Sequence, residues 1–281
     1  MEQKFFFGVR WEVNGLPHAL DVNGIPRSFA GPADVKQHEP MTQYMRKGIN
    51  RLDLVSWPPN YTPEQYLALS VVYWEMGENP SADPRTAFRV SYYPAAEDPG
   101  PFVEYDATAG HPARPVAPSI NFQPGSEYDT LHVDFEVLDE MPTWCWEQGD
   151  ILTADNATRD HLTQSYRKIH ALMAAKDNDT LMDEWWANMI RENAAAYNRP
   201  EGYVRNRASF DVFFDNPDAF RLDPLPTSPM TMRLGAENRV AWLVTQGDAG
   251  PLRFAHVQQT DRVNYVTPYF IRRNGNWEIC R

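Results

Sequence analysis

Through the first 140 or so residues, apolar and polar positions alternate with a period of two. In KFFFGVRWEV the alternation puts Phe5, Phe7, Val9, Trp11 and Val13 on one side and Gly8, Arg10 and Glu12 on the other, the pattern of a strand with one wetted face. RLDLVSW groups Leu52, Leu54 and Ser56, AFRVSYY groups Phe88, Val90 and Tyr92, and YLALSVVYWEM is a longer β-prone run interrupted by Ser70. The clearest case is TLHVDFEVLDE, with Leu131, Val133, Phe135 and Val137 on one face and His132, Asp134 and Glu136 on the other. Asn14-Gly15 and Asn23-Gly24 read as tight turns. Short alternating strands separated by proline- and glycine-rich stretches predict an all-β antiparallel sandwich over residues 1–141.

After a linker at 142–152 the period changes. Asp155, Asn156 or Thr158 can cap a helix in which Leu162, Tyr166, Ile169 and Met173 form one apolar stripe. KDNDT breaks it, Asp179 recaps, and Leu181, Met182, Trp185, Trp186, Met189 and Ile190 form the apolar face of a second helix, with Gly202 beyond its end. ASFDVFF, MTMRLG, NRVAWLVTQ, LRFAHVQQ and YVTPYFIRRNGNWEICR then read as strands. Helices followed by antiparallel strands predict an α+β domain over 153–281, and two domains in all.

Two resemblances accompany this pattern. YMRKGINRLDLVSW carries Gly48, Ile49 and Asn50 in a G-x-N-x-L-x-L arrangement that is similar to a hairpin of jelly-roll domains of the galactose-binding type. SYRKIHALMAAKDNDTLMDEWW, together with the terminal Asn274, Gly275, Asn276, Trp277, Glu278 and Ile279, resembles the nuclear-transport-factor-2-like fold, which includes ketosteroid isomerases and polyketide cyclases. That second resemblance implies a cone, helices packed on a curved antiparallel sheet, with a pocket at its open end. The catalytic Asp and Tyr of the family have no assignable counterparts in this sequence.

Composition narrows the functional classes. The net charge of −12 excludes a nucleic-acid partner, which needs a basic surface, and suits a basic protein partner. No apolar run is long enough to span a membrane, and MEQKFFFGVRWEV meets charge too soon to act as a signal peptide. The sequence shows no phosphate loop, nucleophile elbow or Cys-x-x-Cys motif, and predicts neither cofactor nor metal. Oligomeric state is not encoded in any feature of the chain.

The two cysteines, Cys145 and Cys280, fall where the second domain begins and ends. One reading is a disulfide, worth roughly 4–5 kcal/mol by chain entropy and implying an oxidising compartment such as the periplasm. The other is two buried thiols in a cytoplasmic protein. Trp144 and Trp146 read as a packing wedge between domains. On LRFAHVQQ the alternation sends Phe254, His256 and Gln258 to one side. If that side faces the helices, His256 and Gln258 meet Tyr166 at the mouth of a pocket covered by Trp185 or Trp186, with His256 the candidate base. Sequons occur at Asn60, Asn156 and Asn178. Two functions compete. One is a non-catalytic protein-binding or accessory protein, such as a toxin-neutralising immunity protein of the bacterial envelope. The other is an isomerase- or cyclase-like enzyme acting on a small apolar ligand. An apolar-walled pocket floored by a carboxylate and a Tyr favours the enzyme, and a cone plugged by Trp185, Trp186, Phe254 and Met232 favours the binder.

Overall fold

The computed structural model describes residues 3–57, 61–121, 128–259 and 262–281. The sequon at Asn60 lies outside them. Chain contacts divide the protein into two compact units: Met1–Thr143 with Ala196–Asn198, and Trp144–Ala195 with Arg199–Arg281.

The first unit contains β1 (Phe5–Val22), β2 (Ile25–Pro40), β3 (Gly48–Ser56), β4 (Leu67–Glu75), β5 (Arg85–Tyr92), β6 (Phe102–Glu104), β7 (Ala113–Asn121) and β8 (Asp129–Val137). They form one eight-stranded sheet in the order β6-β5-β4-β1-β3-β8-β7, with β2 also on β1. Every pairing is antiparallel. β4 pairs with Phe5–Val13 and β3 with His18–Val22, while β2 follows β1 from Gly8 to Val22. The sheet curls so that its two wings meet: Phe88 on β5 and Phe135 on β8 have ring centroids 5.9 Å apart. The enclosed face is apolar, with Leu52, Leu54, Val90, Leu131, Val133 and Phe135 fully buried.

Three expectations change here. Asn14-Gly15 closes no hairpin. β1 continues through it with a register shift between Val13 and Leu16. Gly15 takes a φ of +67°, and the Asn14 backbone N–H donates to Tyr66 O at 3.2 Å. It is a bulge, placed where β1 leaves β4 for β3. Asn23-Gly24, with φ of 52° and 74°, does close the two-residue turn between Val22 and Ile25. The second face of β1 and β4 is also not simply wetted. Phe6 stacks on Trp74 with centroids 4.9 Å apart, and Glu12, Ala68, Ser70 and Ser91 are buried there. Long side chains lie across the short ones. Arg89 reaches over Ala68 to hold Glu12 with two hydrogen bonds, 2.9 and 3.1 Å. A Cβ on Gly8 would meet Glu39 O at 2.5 Å and Trp74 at 2.9 Å, so this packing requires glycine. The third is that the strands expected as an antiparallel sandwich are indeed antiparallel but share one hydrogen-bonded, curled sheet.

The second unit opens with α1 (Asn156–Ala175), capped by Asp155, which accepts from Thr158 N at 2.7 Å. Leu162, Tyr166, Ile169 and Met173 are its buried stripe. Lys176 ends it with a φ of 57°. The recapping residue is Asp177 rather than Asp179: its carboxylate accepts from Thr180 N at 3.1 Å, while Asp179 pairs with Arg205. α2 (Asn178–Thr180) runs into a wide π-type turn over Leu181–Trp185 before α3 (Ala187–Ala196), so the expected second helix is interrupted. Gly202 lies inside α4 (Glu201–Ala208) instead of ending a helix, and ASFDVFF forms α5 (Asp211–Phe214) instead of a strand. β9 (Phe220–Leu222), β10 (Thr231–Gly235), β11 (Val240–Val244), β12 (Leu252–His256), β13 (Val263–Val266), β14 (Phe270–Arg273) and β15 (Asn276–Ile279) follow. They make two antiparallel sheets, β10-β11-β14-β15 and β13-β12-β9.

Candidate functional site

The pocket expected in the second unit is filled by the protein itself. Phe254 points inward and is buried, as alternation on β12 requires. Its ring stacks on Phe213 at 4.3 Å and approaches Phe214 at 6.2 Å. Trp186 packs edge-on against Phe210 at 5.2 Å, and Trp185 and Met232 are partly buried against the same cluster. Tyr166 is fully buried but meets neither His256 nor Gln258. Its hydroxyl donates to Pro268 O at 3.3 Å and accepts from Leu243 N at 3.3 Å, and burial raises its pKa far above the usual phenol range. His256 is half-buried at the end of β12, where its ring packs edge-on to Phe220 at 4.8 Å and Nε2 lies 3.0 Å from Asn264 Nδ2. Gln258 lies beyond the strand and is exposed. Both border a depression of about 170 Å³ with Asp218, Ala219 and Gln259. The expected meeting with Tyr166 does not form: the Tyr166 hydroxyl is taken by Pro268 O and Leu243 N, His256 at the last position of β12 is held by Phe220 and Asn264, and Gln258 lies past the strand.

Cys145 and Cys280 sit at disulfide distance with Cα atoms 5.8 Å apart, as a bridge requires. Glu192 on α3 accepts from Cys145 N at 2.6 Å, and Arg281 pairs with its other oxygen. The Arg281 guanidinium also lies over the Trp144 ring, 5.7 Å from its centroid. Trp144 and Trp146 are both buried. The two sulfurs and Glu192 offer ligand atoms within 4.8 Å of one another, a geometry able to receive a metal. Sulfurs bonded to each other would supply no thiolate ligand, and Arg281 pairs with the carboxylate, so the arrangement suits a disulfide beside an ion pair.

A buried carboxylate facing tyrosines does occur, but in the first unit. Tyr61 donates to Asp129 Oδ2 at 2.6 Å and Tyr92 approaches the same oxygen at 3.5 Å. Burial, and then the Asp129 charge, push Tyr92 up to about 12. Register places Asp129 beside Ser56 and Ser56 beside His18. His18, Ser56 and Asp129 are all at most 1% exposed. Within this row Ser56 Oγ donates to Pro17 O and His18 Nδ1 lies 3.1 Å from Leu16 O, so Asp129 is held by the two tyrosines rather than by its row neighbours.

The open chemistry lies on the outer face of the same sheet. Register sets out two rows across β2-β1-β4-β5-β6: His38, Arg10, Ser70, Arg89 and Glu104, then Lys36, Glu12, Ala68, Ser91 and Phe102. Burial alone would raise the Glu12 carboxyl, but Arg89 and Lys36 together hold it below its usual value. At the β6 end, Tyr66, Tyr93 and Phe102 form a chain of rings 5.8 and 6.0 Å apart. Tyr93, Phe102 and Tyr105 are 37, 41 and 36% exposed, unusual for large rings on one short segment. Residues 93–106, YPAAEDPGPFVEYD, hold Glu97, Asp98, Glu104 and Asp106 and not one Lys or Arg. All four acids are exposed. The sequence carries this signal as a run of acids among aromatics, which the strand-by-strand reading passes over. No family model, curated protein or solved structure matches the chain.

Proposed function

We propose that the protein is a non-catalytic binding or accessory protein that holds a basic protein partner on the acidic, aromatic segment 93–106 of its first unit. The observation that carries this reading is the exposure of Tyr93, Phe102 and Tyr105 among four exposed carboxylates on a segment without a cation. Lysine and arginine side chains find there both charge complementarity and ring faces for cation–π contact. A toxin-neutralising immunity protein of an envelope is one role of this kind. The Cys145–Cys280 pair supports an oxidising compartment for it, the periplasm in a bacterium. The isomerase- or cyclase-like alternative needs an apolar cavity beside His256, where Phe213, Phe254 and Trp186 instead fill the interior.

The same reading takes the two compact units as independent domains, a sandwich-like β domain and a cone-like α+β domain akin to the nuclear-transport-factor-2-like fold. Apolar clustering of α1 with both sheets of the second unit supports it.

The test is calorimetric titration of the full chain with a lysine-rich peptide. Binding should weaken steeply with added salt and fall about five- to tenfold in Glu104→Gln and in Tyr93→Ala, whose exposed positions leave folding intact. Binding that is insensitive to both substitutions, or no binding at low salt, overturns the proposal.

A further inference from the structure

We propose that the first unit carries an oxyanion-binding site in a groove of about 540 Å³ lined by Arg10, Lys36, Gln37, His38, Asp83 and Pro84. The site is independent of segment 93–106. Three cationic or protonatable side chains converge on one groove of a chain whose net charge is −12. Register explains the convergence, since Arg10 on β1 lies directly beside His38 on β2, and Lys36 occupies the next outward row. The far wall is a loop held in place where Trp74 Nε1 donates to Ala82 O at 2.9 Å. His38 leans on the same Trp74 ring at 5.8 Å.

The unused hydrogen-bonding capacity identifies the ligand. Glu12, the acid nearest along the same face, is fully engaged. Its Oε1 takes Arg89 Nη1 at 2.9 Å and Lys36 Nζ at 3.3 Å, and its Oε2 takes Arg89 Nη2 at 3.1 Å. Glu12 is thus taken by its two neighbours, and the half-buried Arg10 guanidinium makes no side-chain hydrogen bond or ion pair among the described residues. A guanidinium fork presents parallel donors that match carboxylate or phosphate oxygens two at a time. Lys36, largely exposed beside it, adds a second positive charge, and His38 adds ring nitrogens. Asp83 is an exposed acid on the rim, where it would accept from a hydroxyl or ammonium group of the same ligand. The groove is much larger than one phosphate, so the ligand class is a small organic molecule carrying a carboxylate or phosphate and a hydrogen-bond donor.

NMR titration of the isotope-labelled full chain tests this, with inorganic phosphate and succinate as separate probes and sodium chloride as the ionic-strength control. One or both probes should shift the Arg10 side-chain and His38 ring signals saturably at millimolar concentration, and the preferred probe separates a phosphate source from a carboxylate source. Arg10→Gln should weaken that binding at least about tenfold and Lys36→Gln about two- to threefold, with Arg10→Lys between them because the fork is lost while the charge stays. Because Arg10 makes no side-chain hydrogen bond or ion pair among the described residues, its variants should melt close to the parent chain, which a melting curve beside each titration checks. Shifts with chloride alone, no saturable shift with either probe, or equal affinity in Arg10→Gln would overturn the site.

Discussion

The two units use aromatic residues in opposite ways. In the second, Phe213, Phe214, Phe254, Trp186 and Phe210 stack on one another and close the space where a substrate would sit. In the first, Tyr66, Tyr93 and Phe102 form a comparable chain of rings on the outside of the sheet, on a segment whose four carboxylates are exposed. Rings facing inward supply stability, and rings left in water beside charge supply a surface. On the proposed function, recognition belongs to the curled sheet, and the α+β unit is a body whose ends meet at Cys145 and Cys280. Substitutions in the two units should therefore fail differently, stability falling in one and binding in the other.

The largest expected effect is on the staple. Cys280→Ser, or reduction, should destabilise the protein by about 4 kcal/mol, since the bridge closes a separation of 135 residues. Thiol titration of denatured, unreduced protein from an oxidising compartment should find no free thiol, and two free thiols there would remove the bridge from the account. Next is Phe254→Ala, expected to cost about 3–4 kcal/mol in chemical denaturation because Phe213, Phe214 and the helices cannot close the space. If it instead left stability unchanged, the interior of the second unit would be a preformed cavity.

A smaller effect concerns pH. Asp21 on β1 lies opposite Asp53 on β3, which in turn contacts His132 Nδ1 on β8 at 2.5 Å. Burial, and then the Asp53 charge, raise the Asp21 carboxyl from 3.8 to about 6. The folded chain thus keeps this proton to higher pH than the unfolded chain does. Its contribution is present below about pH 4 and is lost as pH rises through about 6. Above that, Asp21→Asn should be more stable than the parent by about 1–2 kcal/mol, allowing for its partial exposure. Melting curves at pH 4 and 7.5 check this, and equal shifts at both would contradict it. The smallest effect is expected of His256→Ala, at most about 1 kcal/mol of stability, since Asn264 keeps access to water.

Much of the first unit was legible because its strands have a mostly apolar inner face, so β3, β5 and β8 announce themselves by alternation. Asn14-Gly15 was misleading because the same dipeptide serves a hairpin or a bulge, and the choice depends on partner strands far along the chain. ASFDVFF fits two periods at once. Phe210, Val212 and Phe214 alternate, but Phe210 and Phe214 also sit four apart, and the structure buries that pair and leaves Val212 54% exposed. On β12 the inward position of Phe254 followed from the pattern, whereas His256 and Gln258 fell at and past the strand end. The groove at Arg10 was invisible because a cation's lack of a partner emerges only from register, when Arg89 reaches across β4 to claim Glu12.

The most direct test of where recognition lies is a residue-resolved NMR titration of the full chain with the lysine-rich peptide. The account predicts shifts concentrated at Tyr66, Tyr93, Phe102, Glu104 and Tyr105, with the signals of Trp186, Phe254 and His256 unmoved. Shifts concentrated at Trp186, Phe254 and His256, with segment 93–106 silent, would contradict it and return the site to the second unit.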